Sequence, residues 1–201
     1  MITRIQGKTL AGEIAVRREP RLSALEKSML RWAVVDPDDR LLDANVDGGL
    51  MADYLRRNMQ CEVCGVSDRM DQVRAARERL QNCDIMYAPA GDIPWREGAF
   101  DTVLMKLDTG EREMAERMIR EAQRVLKPGG QLILGVRCFP QALSRVTALI
   151  SADEKQRIRK EEVQSMLRHA AYQKITWQRT GISMGVLIGW KAKPTTEGFS
   201  A

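Results

Sequence analysis

The sequence predicts an α/β fold: a mostly parallel sheet covered by helices on both faces and closed at one edge by an antiparallel hairpin. Three observations carry this expectation. Short apolar runs bounded by turn residues alternate with segments whose apolar residues recur at helical spacing. The stretch Arg40 to Gly49, RLLDANVDGG, ends an apolar run in Asp43 and turns at Gly48-Gly49 into an amphipathic segment. Near the C-terminus two strand-like runs, Gln173 to Gln178 and Ile182 to Trp190, are separated only by Arg179-Thr180-Gly181, too few residues for a helical crossover, so they pair antiparallel.

Taken in order, Met1 to Pro20 shows weak pattern and reads as an arm over the sheet. Leu22, Leu25, Met29, Trp32 and Ala33 share one helical face, and Asp36-Pro37-Asp38-Asp39 then breaks the helix and turns the chain into the first strand. Past the glycine pair, Leu50, Met51, Tyr54 and Leu55 recur at helical spacing. A second strand, Cys61 to Val66, ends at Ser67-Asp68 and leads into a helix with Val73, Ala76 and Leu80 on one face. A third strand, Asp84 to Tyr87, enters the turn-rich run Ala88 to Asp101, and the fourth spans Thr102 to Lys106. The helix Glu111 to Leu126 places Met114, Met118, Ala122 and Val125 inward and stops because Pro128 cannot continue it. Gly129-Gly130 then supplies a turn into a fifth strand, Gln131 to Val136. A charged helical stretch, Lys155 to Ala171, precedes the hairpin, and the tail 192–201 lacks pattern.

Composition narrows the function classes. A chain of 201 residues with 44% hydrophobic and 29% charged residues reads as one globular domain, 1–201, with a sizeable core. No apolar run is long enough for a membrane span and Met1 to Lys8 lacks the apolar core of a signal peptide, so a cytoplasmic protein is expected. Cys61, Cys64, Cys83 and Cys138 need neither disulfides nor metal, because Cys61-x-x-Cys64 has no second pair and His169 is the single histidine. The net charge of +5 permits a nucleic-acid partner. Interspersed signs, as in Glu111 to Arg117 and Glu154 to Glu162, instead describe solvated helix faces.

Four stretches together resemble the class I S-adenosylmethionine-dependent methyltransferases. RLLDANVDGG is similar to the family's first motif, and CEVCGVSDRM, Cys61 to Met70, to its second strand. IPWREGAFD, Ile93 to Asp101, resembles the LPFPDGSFD turn of the small-molecule branch that includes quinone-biosynthesis enzymes, and RVLKPGG, Arg124 to Gly130, matches the family's helix-end motif. Arg168 to Ile175 resembles the segment that leads into the family's hairpin. A nicotinamide-binding reading fits less well, since the G-x-G-x-x-G spacing is absent. The resemblance implies a three-layer Rossmann-like methyltransferase fold of seven strands. It also implies S-adenosylmethionine as cofactor, with contacts at Asp43, Ala44, Asn45, Asp47, Gly48, Gly49, Ser67, Asp68, Gly91, Asp92 and Lys106.

Relative to that family the cofactor motifs are degenerate. Asn45 and Asp47 stand where two glycines are expected, and only Gly49 keeps the third. Ser67 takes the place of the acidic residue that accepts from both ribose hydroxyls, with Asp68 one step on. The Gly-Asp pair that reads the adenine amino group falls on Ala88-Pro89, and Gly91-Asp92 can replace it only if the loop shifts by three residues. Two lost hydrogen bonds at about 1 to 3 kcal/mol each would weaken binding about ten- to ten-thousandfold.

The expected function is methyl transfer to an unidentified small molecule. The alternative is a retired methyltransferase scaffold that binds a ligand or partner, since Asn45, Asp47, Ser67 and Pro89 all fall on cofactor contacts while RVLKPGG is intact. Neither reading identifies a general base. His169 reads as a half-buried or capping residue, and Lys106, Asp108 and Thr109 lie where the family often lines its substrate pocket. A nucleic-acid methyltransferase is disfavoured, because LMKLDTG lacks the Asn/Asp-Pro-Pro-aromatic motif of base-amine methylation.

Overall fold

Seven strands form one sheet in the order β3-β2-β1-β4-β5-β7-β6, seen in a computed structural model that describes residues 21–107, 110–137 and 158–194. The expectations for residues 1–20, Asp108, Thr109, Cys138, 155–157 and 195–201 fall outside those residues. The strands are β1 Arg40–Asp43, β2 Glu62–Ser67, β3 Ile85–Tyr87, β4 Phe100–Leu107, β5 Leu126–Arg137, β6 Tyr172–Arg179 and β7 Met184–Lys191. The helices are α1 Ala24–Trp32, α2 Leu50–Met59, α3 Met70–Arg79, α4 Arg112–Val125 and α5 Lys160–His169. The first five strands pair in parallel, and β7 pairs antiparallel with both β5 and β6. The chain order therefore reverses at β1, whose neighbours are β2 and β4, and a crevice opens at their carboxyl ends.

Alternation along the strands builds a core on each face. Leu42, Cys64, Val103, Met105, Leu132 and Leu134 pack toward α4 and α5, whereas Leu41, Val63, Leu104, Ile133, Val186 and Ile188 pack toward α1, α2 and α3. Cys61 and Cys64 are free, buried thiols within these cores. α1 starts with a capping box, in which Ser23 and Glu26 bond each other's backbone N–H. None of the described helices is long and apolar enough to cross a membrane.

Three details depart from the sequence expectation. Lys127-Pro128-Gly129-Gly130 is a bulge within a long β5 rather than a turn before it: Phe100 pairs with Leu126, and Thr102 pairs with Gln131. Asp101 anchors that bulge, its carboxylate accepting from Lys127 Nζ at 2.7 Å and from the Arg40 amide at 2.9 Å. Tyr54 is exposed although it shares helical spacing with the core, because Met51, Ala52 and Leu55 already fill the contact with the sheet. His169 is exposed rather than half-buried, and stands in the last turn of α5 on a groove with Glu116, Arg120, Met166 and Ala170.

Candidate functional site

The turn after β1 crosses the switch point in three short steps. Ala44 N–H donates to Leu104 O of β4 at 2.8 Å, the Asn45 amide donates to Asp43 Oδ1 at 3.3 Å, and Val46 N–H donates to Val66 O of β2 at 3.0 Å. The chain thus leaves β1 on its β4 side and returns over β2. Gly48 and Gly49 then take φ of +61° and +76° to start α2. A Cβ at Gly49 would meet Leu80 Cδ1 at 2.8 Å and Ala76 Cα at 3.3 Å. Gly49 therefore serves the close packing of the turn on α3, Gly48 supplies only its positive φ, and both lie outside the cleft's lining.

Beside this turn lies a small cleft of about 40 Å³, walled by the ends of β1, β2 and β3. Ala44, Asn45, Ser67, Asp68, Gly91 and Asp92, all expected at the site, line it together. Val66, Ile93, Met105 and Met118 supply apolar surface, and Ala88, Pro89 and Ala90 complete the wall. Ser67 Oγ accepts from the Arg69 amide at 3.2 Å while Asp68 is exposed at the rim. Asp92 N–H donates to Pro89 O at 3.0 Å, closing a turn with Gly91 at φ +76°, and this turn brings Gly91 and Asp92 to the cleft in place of the Gly-Asp pair expected two residues after Met86.

Helix α4 holds that turn by side chains on one face. Arg117 Nε donates to Gly91 O at 3.1 Å, Glu121 accepts from the Ile93 amide at 3.1 Å, and Arg124 donates to Ile93 O at 2.9 Å and Trp95 O at 2.8 Å. Glu121 and Arg124 also pair with each other at 2.8 Å. The Arg124 guanidinium holds the Glu121 carboxyl below its usual range, outweighing its partial burial. None of the three was anticipated as a site residue. The signal for two of them was in the sequence, in the i, i+3 spacing of Glu121 and Arg124 just before VLKPGG.

Next to the cleft at its β4 end, outside its lining, lies a charged cluster. Lys106 Nζ sits 2.5 Å from Asp47 Oδ2 and 3.1 Å from Glu26 Oε1 of α1, while the Lys106 amide donates to Asn45 Oδ1 at 2.6 Å. Asp43 lies beneath, 2% exposed. Burial pushes its carboxyl up to about 6, against the opposing pull of the Lys106 ammonium and the Asn45 amide. Burial would lower the Lys106 ammonium, but Asp43, Asp47 and Glu26 together hold it above its ordinary value. The Glu26 carboxyl is also buried, and its bonds from Ser23 and Lys106 bring it below the usual range nonetheless. Glu26 carried no sequence signal, being 80 residues from Lys106 on another element.

Comparison with known proteins places this geometry. Residues 42–134 match the profile of a family described as "Methyltransferase domain". The chain is 33% identical over 103 residues to 27-O-demethylrifamycin SV methyltransferase of Amycolatopsis mediterranei, covering 48% of this chain and 38% of that protein. It is 26% identical over 117 residues to demethylmenaquinone methyltransferase of Thermotoga maritima, covering 58% of this chain and 50% of that protein. The chain therefore spans half or less of the length of these curated relatives. A solved SAM-dependent methyltransferase from Methanosarcina mazei shares the fold at a TM-score of 0.62 and 18% identity, over 79% of this chain and 95% of that one.

Proposed function

We propose that this chain, a member of the class I S-adenosylmethionine-dependent methyltransferase family, binds S-adenosylmethionine in the cleft at the ends of β1, β2 and β3 and transfers its methyl group to a small molecule. One observation carries the reading: an apolar cleft rimmed by Ser67, Asp68 and Asp92, which can accept from hydroxyl and amino groups, lies next to a cluster of carboxylates at the switch point. That donor set fits the group at both ends. Ser67 and Asp68 suit a ribose, Asp92 and the turn Pro89 to Asp92 suit an adenine edge, and Asp43, Asp47 and Glu26 suit a positively charged tail.

When bound, the cofactor supplies an electrophilic methyl on a sulfonium. The protein's part is orientation: the Asn45 to Lys106 hydrogen bond keeps the β1 and β4 ends in register, and α4 holds the adenine-side turn.

Thermal unfolding with S-adenosylhomocysteine tests the binding. At ~100 times its dissociation constant the ligand should add about 2.7 kcal/mol of stability. No shift at any soluble concentration refutes the reading. A second reading, a scaffold that binds without transferring, is favoured by the side chains of Asn45 and Asp47 at the turn and by the Lys106 ion pairs beside it. Nucleoside binding without any formation of S-adenosylhomocysteine from S-adenosylmethionine, across a panel of quinol, amine and thiol acceptors, supports that second reading.

A further inference from the structure

Asn45 and Met105 line the cleft, and Lys106 follows Met105 with its amide bonded to Asn45 Oδ1 at 2.6 Å, so the ion pair between Lys106 and Asp47 lies next to the β4 end of the cleft, just outside its lining. This charged cluster is built from three elements. Asp47 comes from the turn after β1, Lys106 from the end of β4 and Glu26 from the first turn of α1. The Lys106 side chain is 17% exposed and that of Glu26 12%, while Asp47 is 51% exposed, so Glu26 is the partly buried anchor of Lys106 and Asp47 the partner it can release. The Asn45 and Met105 end of the cleft is the one that adjoins these carboxylates, so a charged tail reaching them from the cleft would meet Lys106.

The tail of S-adenosylhomocysteine is an amino acid, an ammonium and a carboxylate. Its ammonium wants the same carboxylates that Lys106 already satisfies. A ligand cation and a protein cation compete for one set of acids, and the protein cation is tethered, so it competes at high effective concentration.

Resting on the cofactor reading above, we propose that Lys106 is the specificity-determining residue of this cleft. It is an internal cation that stands in for the ligand's ammonium, so that the resting site takes adenosine nucleosides without a charged tail and admits the amino-acid tail only by exchange of ion pairs. In that exchange Lys106 leaves Asp47, and the ligand ammonium takes its place beside Asp47 and Asp43. No covalent bond forms or breaks.

The test is calorimetric titration of the full chain with 5′-methylthioadenosine, which lacks the amino acid, and with S-adenosylhomocysteine, which has it. Wild-type protein should bind the two within about threefold of each other. Lys106→Met keeps the stem and removes the charge; it should tighten S-adenosylhomocysteine at least tenfold and leave 5′-methylthioadenosine within about twofold. Lys106→Arg, which keeps the cation, should retain the wild-type pattern. A wild-type preference above tenfold for S-adenosylhomocysteine overturns the proposal without need of any variant. Loss of S-adenosylhomocysteine affinity in Lys106→Met also overturns it, by making Lys106 a partner of the ligand's carboxylate. In both cases nucleoside binding persists and the cofactor reading stands. Failure of either nucleoside to bind any of the three proteins removes that reading and the proposal together.

Discussion

Asp43 shows how one buried carboxyl can set a pH dependence. Its folded-state pKa of about 6 lies above the ordinary 3.8, because desolvation at the strand end outweighs the attraction of Lys106. Between those values the folded protein holds a proton that the unfolded chain has lost. Stability from this group therefore falls as pH rises from about 4 to about 6 and is level above that. Asp43→Asn keeps an acceptor for the Asn45 amide and removes the charge. It should match wild type near pH 4 and exceed it above pH 6, by at most about 3 kcal/mol. Thermal unfolding at pH 4, 6 and 8 checks this; a constant offset at all three would mean that the carboxyl is not the titrating group. At the same scale Ser67 and Asp68 were legible from the sequence because they end a strand whose position the pattern marks, and both line the cleft. Glu26 was not, since its role is made by a lysine from a distant strand.

On the scale of elements, α4 does two things with one helix. Ala115, Ile119, Ala122 and Val125 bury its inner face against the sheet, while Arg117, Glu121 and Arg124 reach over to the backbone of the loop before β4. The loop's aromatic, Trp95, packs edge-on to Phe100 at 5.4 Å. Arg124→Ala leaves Ile93 O and Trp95 O without their charged donor and Glu121 without its partner. It should cost about 1 to 3 kcal/mol in denaturant unfolding and weaken nucleoside binding more than fivefold by loosening the turn at Gly91-Asp92. Unchanged nucleoside affinity together with the stability loss would show that the grip supports the fold and not the cleft. Since α4 had a clear apolar period, the helix was readable. The bulge at Lys127 to Gly130 was not, because Pro128 and two glycines punctuate a turn and a bulge alike, and only the partner strand β4 decides between them.

On the scale of the molecule, the charged cluster beside the cleft depends on α1 lying flat on β5 and β7. Gly135 makes that possible: a Cβ there would meet Met29 Sδ at 2.5 Å and Leu25 Cδ2 at 3.2 Å. Gly135→Ala should therefore lift α1, cost about 1 to 3 kcal/mol and separate Glu26 from Lys106. A variant as stable as wild type by urea unfolding would mean that Met29 swings aside without moving the helix. The opposite edge of the sheet is secured by the hairpin, where β7 sits between β5 and β6 along nearly its whole length.

The sequence by itself determined the order and kind of the elements, the strand at which the sheet reverses, the antiparallel edge, and the placing of Ala44, Asn45, Ser67 and Asp68 at the strand ends around the cleft. These follow from local rules, namely the period of apolar residues, the turn residues between them and the length of the connections. Only the tertiary structure decided that Gly49 packs closely on α3, that Gly91 and Asp92 reach the cleft, and that Lys106, Asp47 and Glu26 gather beside it. Those outcomes depend on distances between residues far apart in the chain, and charge pairing across three elements leaves no periodic trace along any one of them.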